Sequence, residues 1–226
     1  MEKKAGGTKR RETSLTRERI IEASIELLNA NGEGGLTFRA LSERLATGAG
    51  AIYWHVDDKN DLLTAASDAV VARALEAPFA DPAPRAVIRT LALRLFDTID
   101  THPWVGAALT RAPGQLPMVR ILEGLGQQVR ALDVAGAAQW TAVSALLHYI
   151  LGVAGQNAAN TRLARAHGAD RTDLLDTVAA MWSRLDPDTY PFTRSVAGLL
   201  SGHDDRGDFL AGIDLILLGL TARHAS

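Results

Sequence analysis

Between Thr16 and Ala30 the apolar residues fall at Ile20, Ile21, Ile25, Leu27 and Leu28, with Ser24 on the same stripe. That three-to-four-residue spacing is one face of a helix. Asn31-Gly32 predicts its end, since both tolerate the left-handed conformation of a C-cap, and Gly34-Gly35 continues the turn. Thr37 is placed to cap a short second helix, Phe38 to Ala46, whose Leu41 and Leu45 lie one turn apart. Thr47-Gly48-Ala49-Gly50 reads as a tight turn into a third short helix, Ala49 to Val56. Asp57 or Asp58 caps a fourth, running to about Leu75 with Leu62, Leu63, Ala66 and Val70 inward.

Three prolines between Ala77 and Pro84 predict a linker. Beyond it the helical period returns over about Arg85–Thr101, Val105–Leu109, Leu116–Leu132, Ala137–Ala166 and Arg171–Leu185. Pro187, Pro191 and Gly198–Asp205 mark irregular chain around a short helix near Thr193–Leu200. A last apolar helix spans about Asp208–Arg223. No alternating strand pattern and no solenoid-length repeat occurs. The expected fold is all-α, with a small N-terminal three-helix helix-turn-helix (HTH) unit and a larger helical C-terminal domain. The boundaries read as a flexible basic arm over 1–15, a DNA-binding unit with its connecting helix over 16–77, and a ligand-binding and dimerisation domain over 78–226.

Composition supports helices and little else. The 226 residues are 47% hydrophobic and only 5% aromatic. Such a length can bury a sizeable core. There is no cysteine, which excludes disulfides and thiolate-bound zinc and suits a reducing cytosol. The start lacks the apolar segment of a signal peptide. The most apolar stretches, Ala145–Gly155 and Ile213–Leu220, fall short of the roughly 18 residues needed to span a bilayer. A cytoplasmic location is therefore expected. Net charge is −2, but residues 1–19 hold seven basic side chains against three acidic ones, so the remainder totals −6. A basic arm on an acidic body suits contact with phosphate at one end only, or equally an ordinary solvated terminus.

Two short helices joined by a tight turn form an HTH, whose second helix enters the major groove. Small residues at its start, Gly48, Ala49, Gly50 and Ala51, let the backbone approach the groove floor, and Thr47 belongs to the same turn. Tyr53 and His55 can reach phosphates or bases. Lys59 can neutralise a phosphate, and Arg39 can meet a guanine edge or a phosphate. Ile52, Trp54 and Val56 are read as the side that packs inward.

The letters carry more than the spacing does. Leu36-Thr37-Phe38-Arg39-Ala40-Leu41, then Ala51-Ile52-Tyr53-Trp54-His55-Val56, then Lys59 and Leu62-Leu63 closely resemble the tetracycline-repressor (TetR) family of transcriptional regulators. The likeness implies a homodimer that binds a palindromic operator in double-stranded DNA and represses until a small molecule binds the C-terminal domain. It assigns base contact to Arg39, groove and phosphate contacts to Tyr53 and His55, and a backbone contact to Lys59. Phe38, Ala49 and Gly50 depart from the tetracycline repressors, which implies a different operator.

Weaker likeness continues in His102–Gly114, Ala142–Ala158 and Gly207–Leu220, similar to the family's drug-pocket and dimer-bundle segments. There His102 stands nearest the histidine that ligates the drug's magnesium, and Gln156 stands where a partner glutamate is usual. A neutral amide is a poor ligand for a hard cation, which points to a ligand without metal and to no cofactor. Polar or aromatic residues set in apolar helices nominate the pocket: His102, Trp104, Thr110, Arg111, Trp140, His148, Gln156, Asn157 and Trp182. Core packing is the commoner role for residues such as Trp140 and Trp182, a core or interface is open to His148, and the surface to Arg111. Leu146, Ile150 and Val153 on one helix, with Leu210, Ile213, Leu217 and Leu218 on the other, suit an isologous four-helix interface or burial within one chain.

No HExxH, P-loop, nucleophile elbow or complete GxGxxG is present, so an enzyme is not expected. His203-Asp204-Asp205 reads as a polar loop before a helix rather than a metal site. The other class of function open to this sequence is a helical small-molecule-binding or adaptor protein with a vestigial HTH.

Overall fold

The computed structural model describes residues 15–222. The predicted arm lies, apart from Leu15, outside the described residues, as does Arg223. Among the described residues there are eleven α-helices, one 3-10 turn and no strand. The chain divides into two compact units, one up to Ala66 and one from Ser67.

The first unit begins with α1 (Arg17–Gly35). Thr16 caps it, its hydroxyl accepting from the Arg19 amide at 3.3 Å. Gly32, at φ 62°, breaks the helix where the sequence predicts its stop. That angle lies in the left-handed region, where a side chain would be strained. Thr37 caps α2 (Phe38–Leu45) through the Ala40 amide at 3.1 Å. Ala46 turns the chain at φ 51° into α3 (Ala49–Tyr53). Asp58 then caps α4 (Lys59–Glu76), accepting from the amides of Asn60 and Asp61 at 2.7 and 2.9 Å. Ile20, Leu28, Leu36, Leu41, Ile52 and Leu62 are all but fully buried and form this unit's core. Each such side chain contributes on the order of 1.5–3 kcal/mol.

One inward assignment fails. Ile52 and Val56 are buried, but Trp54 is 89% exposed. Ile52 and Val56 lie one turn apart and take the inward face. Trp54, two residues beyond Ile52, points to the opposite side of so short a helix.

The second unit surrounds α5 (Pro84–Thr101), which starts on a proline at its first position, where no amide bond is lost. Val87, Ile88, Leu91, Ala92, Leu95, Phe96 and Ile99 bury its apolar face. Around it pack α7 (Leu116–Ala131), α8 (Gly136–Ala166) and α11 (Asp205–Ala222), with α6 (Trp104–Arg111) at its end. A capping box of Asp170 and Asp173 opens α9 (Arg171–Ser183). Next come α10 (Pro191–Val196) and the 3-10 turn Ala197–Leu199. The predicted linker is held down by Arg94, which donates to the carbonyls of Ala77 and Pro78 and lies 4.8 Å over the Phe79 ring.

The bilayer expectation needs correcting for α8. Over Gly136–Ala164 it is long and apolar enough to cross a membrane by length and composition, with a third of its most apolar window buried in the chain. Alanines flanking the Leu146–Val153 stretch, at 142, 145, 154 and 158, raise the average without any long unbroken run of large side chains.

Candidate functional site

Two regions hold part of the set singled out in the sequence, one in each unit. In the first, α3 hangs on Ile52 and Val56, so Tyr53 and Trp54 face outward. Tyr53 is 54% exposed and stacks on Phe38 of α2, ring centroids 4.2 Å apart and planes 14° from parallel. Such pairs contribute about 0.5–1.5 kcal/mol beyond their area and fix the ring's direction. Gly48, Ala49 and Gly50 are exposed at the start of α3, and Thr47 is half-buried. Nothing lies within 4 Å of where a Cβ on Gly48 or Gly50 would stand. Those glycines are open toward solvent.

Arg39 extends from α2, its Nε donating to Glu43 one turn on at 3.0 Å. Lys59 is exposed, and its Nζ donates to the Glu33 carbonyl at 2.6 Å, tying the start of α4 to the last turn of α1. His55 is half-buried, and its carbonyl accepts from Arg17 Nε at 3.2 Å. Arg17 also reaches the Asp61 carboxylate at 2.8 Å. Sequence reading missed Arg17. Its partners lie 38 and 44 residues away, with no local signal to announce them.

The second region is a cavity of about 420 Å³ between α5, α8, α9 and α11. Gln156, Asn157 and Trp182 of the nominated residues line it. Its aromatic side is made by Phe96, Tyr149 and Phe209. Phe96 and Phe209 centroids stand 4.8 Å apart, and Tyr149 stacks on Phe209 at 5.6 Å. Tyr149 also donates its hydroxyl proton to the Phe209 carbonyl at 3.2 Å. Its phenol is pushed above the usual range by burial and by Asp208.

A polar chain crosses the other side. Asn157 donates to Asp100 at 3.0 Å and accepts from Arg171 Nε at 2.8 Å. Arg171 pairs with Asp205, whose carboxylate also faces His203 Nε2 at 3.4 Å. His203 Nδ1 meets Asp208 at 2.8 Å. Burial holds the Asp205 carboxyl above its ordinary value, although Arg171 and His203 pull it down; Asp100 and Asp204 add to the rise. Arg171, Asp205 and Asp208 were not nominated from the sequence. Asp204 caps α11 through the Gly207 amide at 3.1 Å.

The remaining nominated residues stand elsewhere. His102 lines a smaller recess of about 320 Å³ with Val70, Arg73 and Asp97. Burial first, then Arg73, lowers its pKa below 6.5. Trp104 is buried, edge-on to His102 with centroids 6.2 Å apart. Thr110 and Arg111 are exposed and bond back to carbonyls of their own helix, as does His148. Trp140 is 68% exposed on α8. Of the nominated dimer residues, Leu146, Ile150, Ile213 and Leu217 are buried within the chain. Val153 and Leu210 are half-buried, and Leu218 is exposed.

An HTH with an outward second helix, followed by a larger helical domain with its own cavity, defines a helix-turn-helix DNA-binding regulator. Residues 20–66 match the family model described as bacterial regulatory proteins, tetR family. A solved TetR transcriptional regulator from Streptomyces coelicolor is 54% identical, with a TM-score of 0.83 over 92% of this chain and 99% of that one. An HTH-type transcriptional regulator of Saccharopolyspora erythraea is 34% identical over 99 residues, 44% of this chain and 42% of the relative. That match thus spans about two fifths of the relative's length. The class A tetracycline repressor of transposon 1721 from Escherichia coli is 29% identical over 84% of this chain and 91% of its own. The chain belongs to the TetR family of transcriptional regulators.

Proposed function

We propose that this regulator is a repressor that binds a palindromic operator as a homodimer, acts in the cytoplasm and leaves DNA when a small molecule occupies its C-terminal unit. The observation that carries the DNA half is the aspect of α3. Its apolar anchors are buried while Tyr53, Trp54 and the small residues 48–50 are turned to solvent. A helix held this way can lie in the major groove, with Arg39 at a base edge or phosphate and with Tyr53, His55 and Lys59 along the backbone. Repression is the activity named for the class A relative.

Exposed stripes on α8 and α11 support the homodimer. Thr141, Ala145, His148 and Gly152 line one face of α8, and Ala211, Leu215 and Leu218 line one face of α11. Leu215 and Leu218 are 71% and 57% exposed, an arrangement that leaves large apolar side chains in water unless a second copy covers them. Small residues on α8 allow the close approach of another helix. A two-fold axis would pair each stripe with its own copy and place two α3 helices for half-sites about 34–36 Å apart.

The effector is assigned to the 420 Å³ cavity, a volume within the range of small-molecule sites. Effector and operator are negatively coupled, each lowering affinity for the other by the same factor. The experiment is a gel shift on DNA flanking the regulator's own gene, across a salt series. Salt-dependent binding of a discrete palindrome is the expected result. Absence of any duplex binding sinks the DNA reading, and unchanged operator affinity at saturating effector sinks the release mechanism.

A further inference from the structure

The geometry points to an aromatic cation as the effector class, a flat apolar body carrying a positive charge, bound with its charge toward Asp205 and Asp208. This rests on the cavity being the effector site and adds which chemistry it accepts. The described charged residues lining it are Arg171, His203, Asp205 and Asp208. Two carboxylates thus stand against one guanidinium, and Asp100 and Asp204 act on Asp205 from nearby. Arg206, on the same end of α11, is engaged by Asp97 and does not offset that charge. Arg171, the one permanent cation among the described lining residues, is already bound to Asp205 and Asn157. An anion entering here meets a committed guanidinium and surplus carboxylate. A cation meets carboxylates that lack full compensation.

The aromatic side fits the same conclusion. Tyr149 stacks on Phe209, Phe96 packs tilted against the same ring, and Trp182 stands among the lining residues. Ring faces attract cations and accept flat apolar bodies. Gln156 and Asn160, one turn apart on α8, bring side-chain amides with no hydrogen-bond partner among the described residues. These can meet polar edges of a ligand. An uncharged lipid-like molecule would cover those amides without pairing them, a cost that selects against it.

The test uses the full chain and three isosteric probes at pH 8: N-methylacridinium (cation), acridine (neutral) and acridine-9-carboxylate (anion). Binding is measured by calorimetry on the wild type, on Asp205→Asn and Asp208→Asn, and on two cavity-filling variants, Val153→Phe and Val178→Phe. Thermal melts establish that each is folded. The cation is expected to bind about tenfold or more tighter than acridine, and the anion weakest. Either Asn substitution should cut that cation preference at least threefold, and filling the cavity should abolish binding of all three. If neutral or anionic probes bind as tightly as the cation, and the filled variants lose them, the cation class is overturned while the cavity stands as a ligand site. If no probe binds, or a folded filled variant binds them undiminished, the effector-site reading falls and the cation proposal with it.

Discussion

Trp54 and Val56 sit two residues apart and face opposite fates. Val56 is buried and, with Ile52, holds α3 to the unit; Trp54 is the most exposed large apolar side chain among the described residues. Val56→Ala should cost about 1–3 kcal/mol, read as a fall in melting temperature. Trp54→Ala should stay within about 0.5 kcal/mol of wild type while weakening operator binding. A Trp54 variant as destabilised as the Val56 one would refute the outward placement. Lys59 carries two duties. Its bond to the Glu33 carbonyl predicts that Lys59→Ala lowers stability by about 1 kcal/mol. Its proposed phosphate contact predicts that the slope of log affinity against log salt falls by about one. A stability loss with an unchanged slope would leave Lys59 as a tie between helices and nothing more.

At the scale of elements, some boundaries were legible because caps announce them: Thr37, and Asp58 as one of two candidates; Pro191, read as irregular chain, instead begins α10. The side that each element presents was less so. A five-residue helix is too short for periodicity to settle which face turns in, and Trp54 was misplaced on that account. Two apolar helices that both touch α5 were equally ambiguous. Leu146, Ile150, Ile213 and Leu217 bury in their own chain, while Leu215, which was not nominated, stands in water. The cavity's polar chain was illegible, since its links join residues 57, 14 and 34 positions apart. Helix contact also depends on Gly212, where a Cβ would lie 1.9 Å from the Tyr149 hydroxyl. Gly212→Ala should push Tyr149 off the Phe209 carbonyl and lower stability by about 1–3 kcal/mol. An unaltered melting temperature would show that the ring swings aside freely.

For the molecule as a whole, charge and association make two predictions. Leu215→Glu with Leu218→Glu should convert the proposed dimer into a monomer by sedimentation, with operator affinity lost alongside. A double variant that remains dimeric would exclude α11 from the interface. The His102 imidazole has its pKa lowered in the fold, so the unfolded chain binds the proton more readily. Its contribution to stability is complete above 6.5 and is lost as pH falls through the lower, folded value. Melting temperature between pH 7.5 and 5.5 should therefore drop more steeply for wild type than for His102→Gln; parallel curves would contradict this. Sequence charge adds a constraint. Residues 15–66 hold eight acidic and five basic side chains, whereas residues 1–14 hold five basic and two acidic. The basic surplus near the HTH is thus carried by the segment ahead of it.

The brevity of α3 has a consequence for dosage. Five residues cannot nucleate a helix in water, because the first turn costs more than it returns. The reading surface therefore exists only in copies whose N-terminal unit is folded, and there is no partly competent form. A destabilising substitution in that unit away from α3, such as one at Leu28, should lower the folded fraction and raise the apparent dissociation constant by the reciprocal of that fraction. Titrated against operator at concentrations well above that constant, such a variant would keep its equivalence point, because DNA draws the unfolded copies into the folded form.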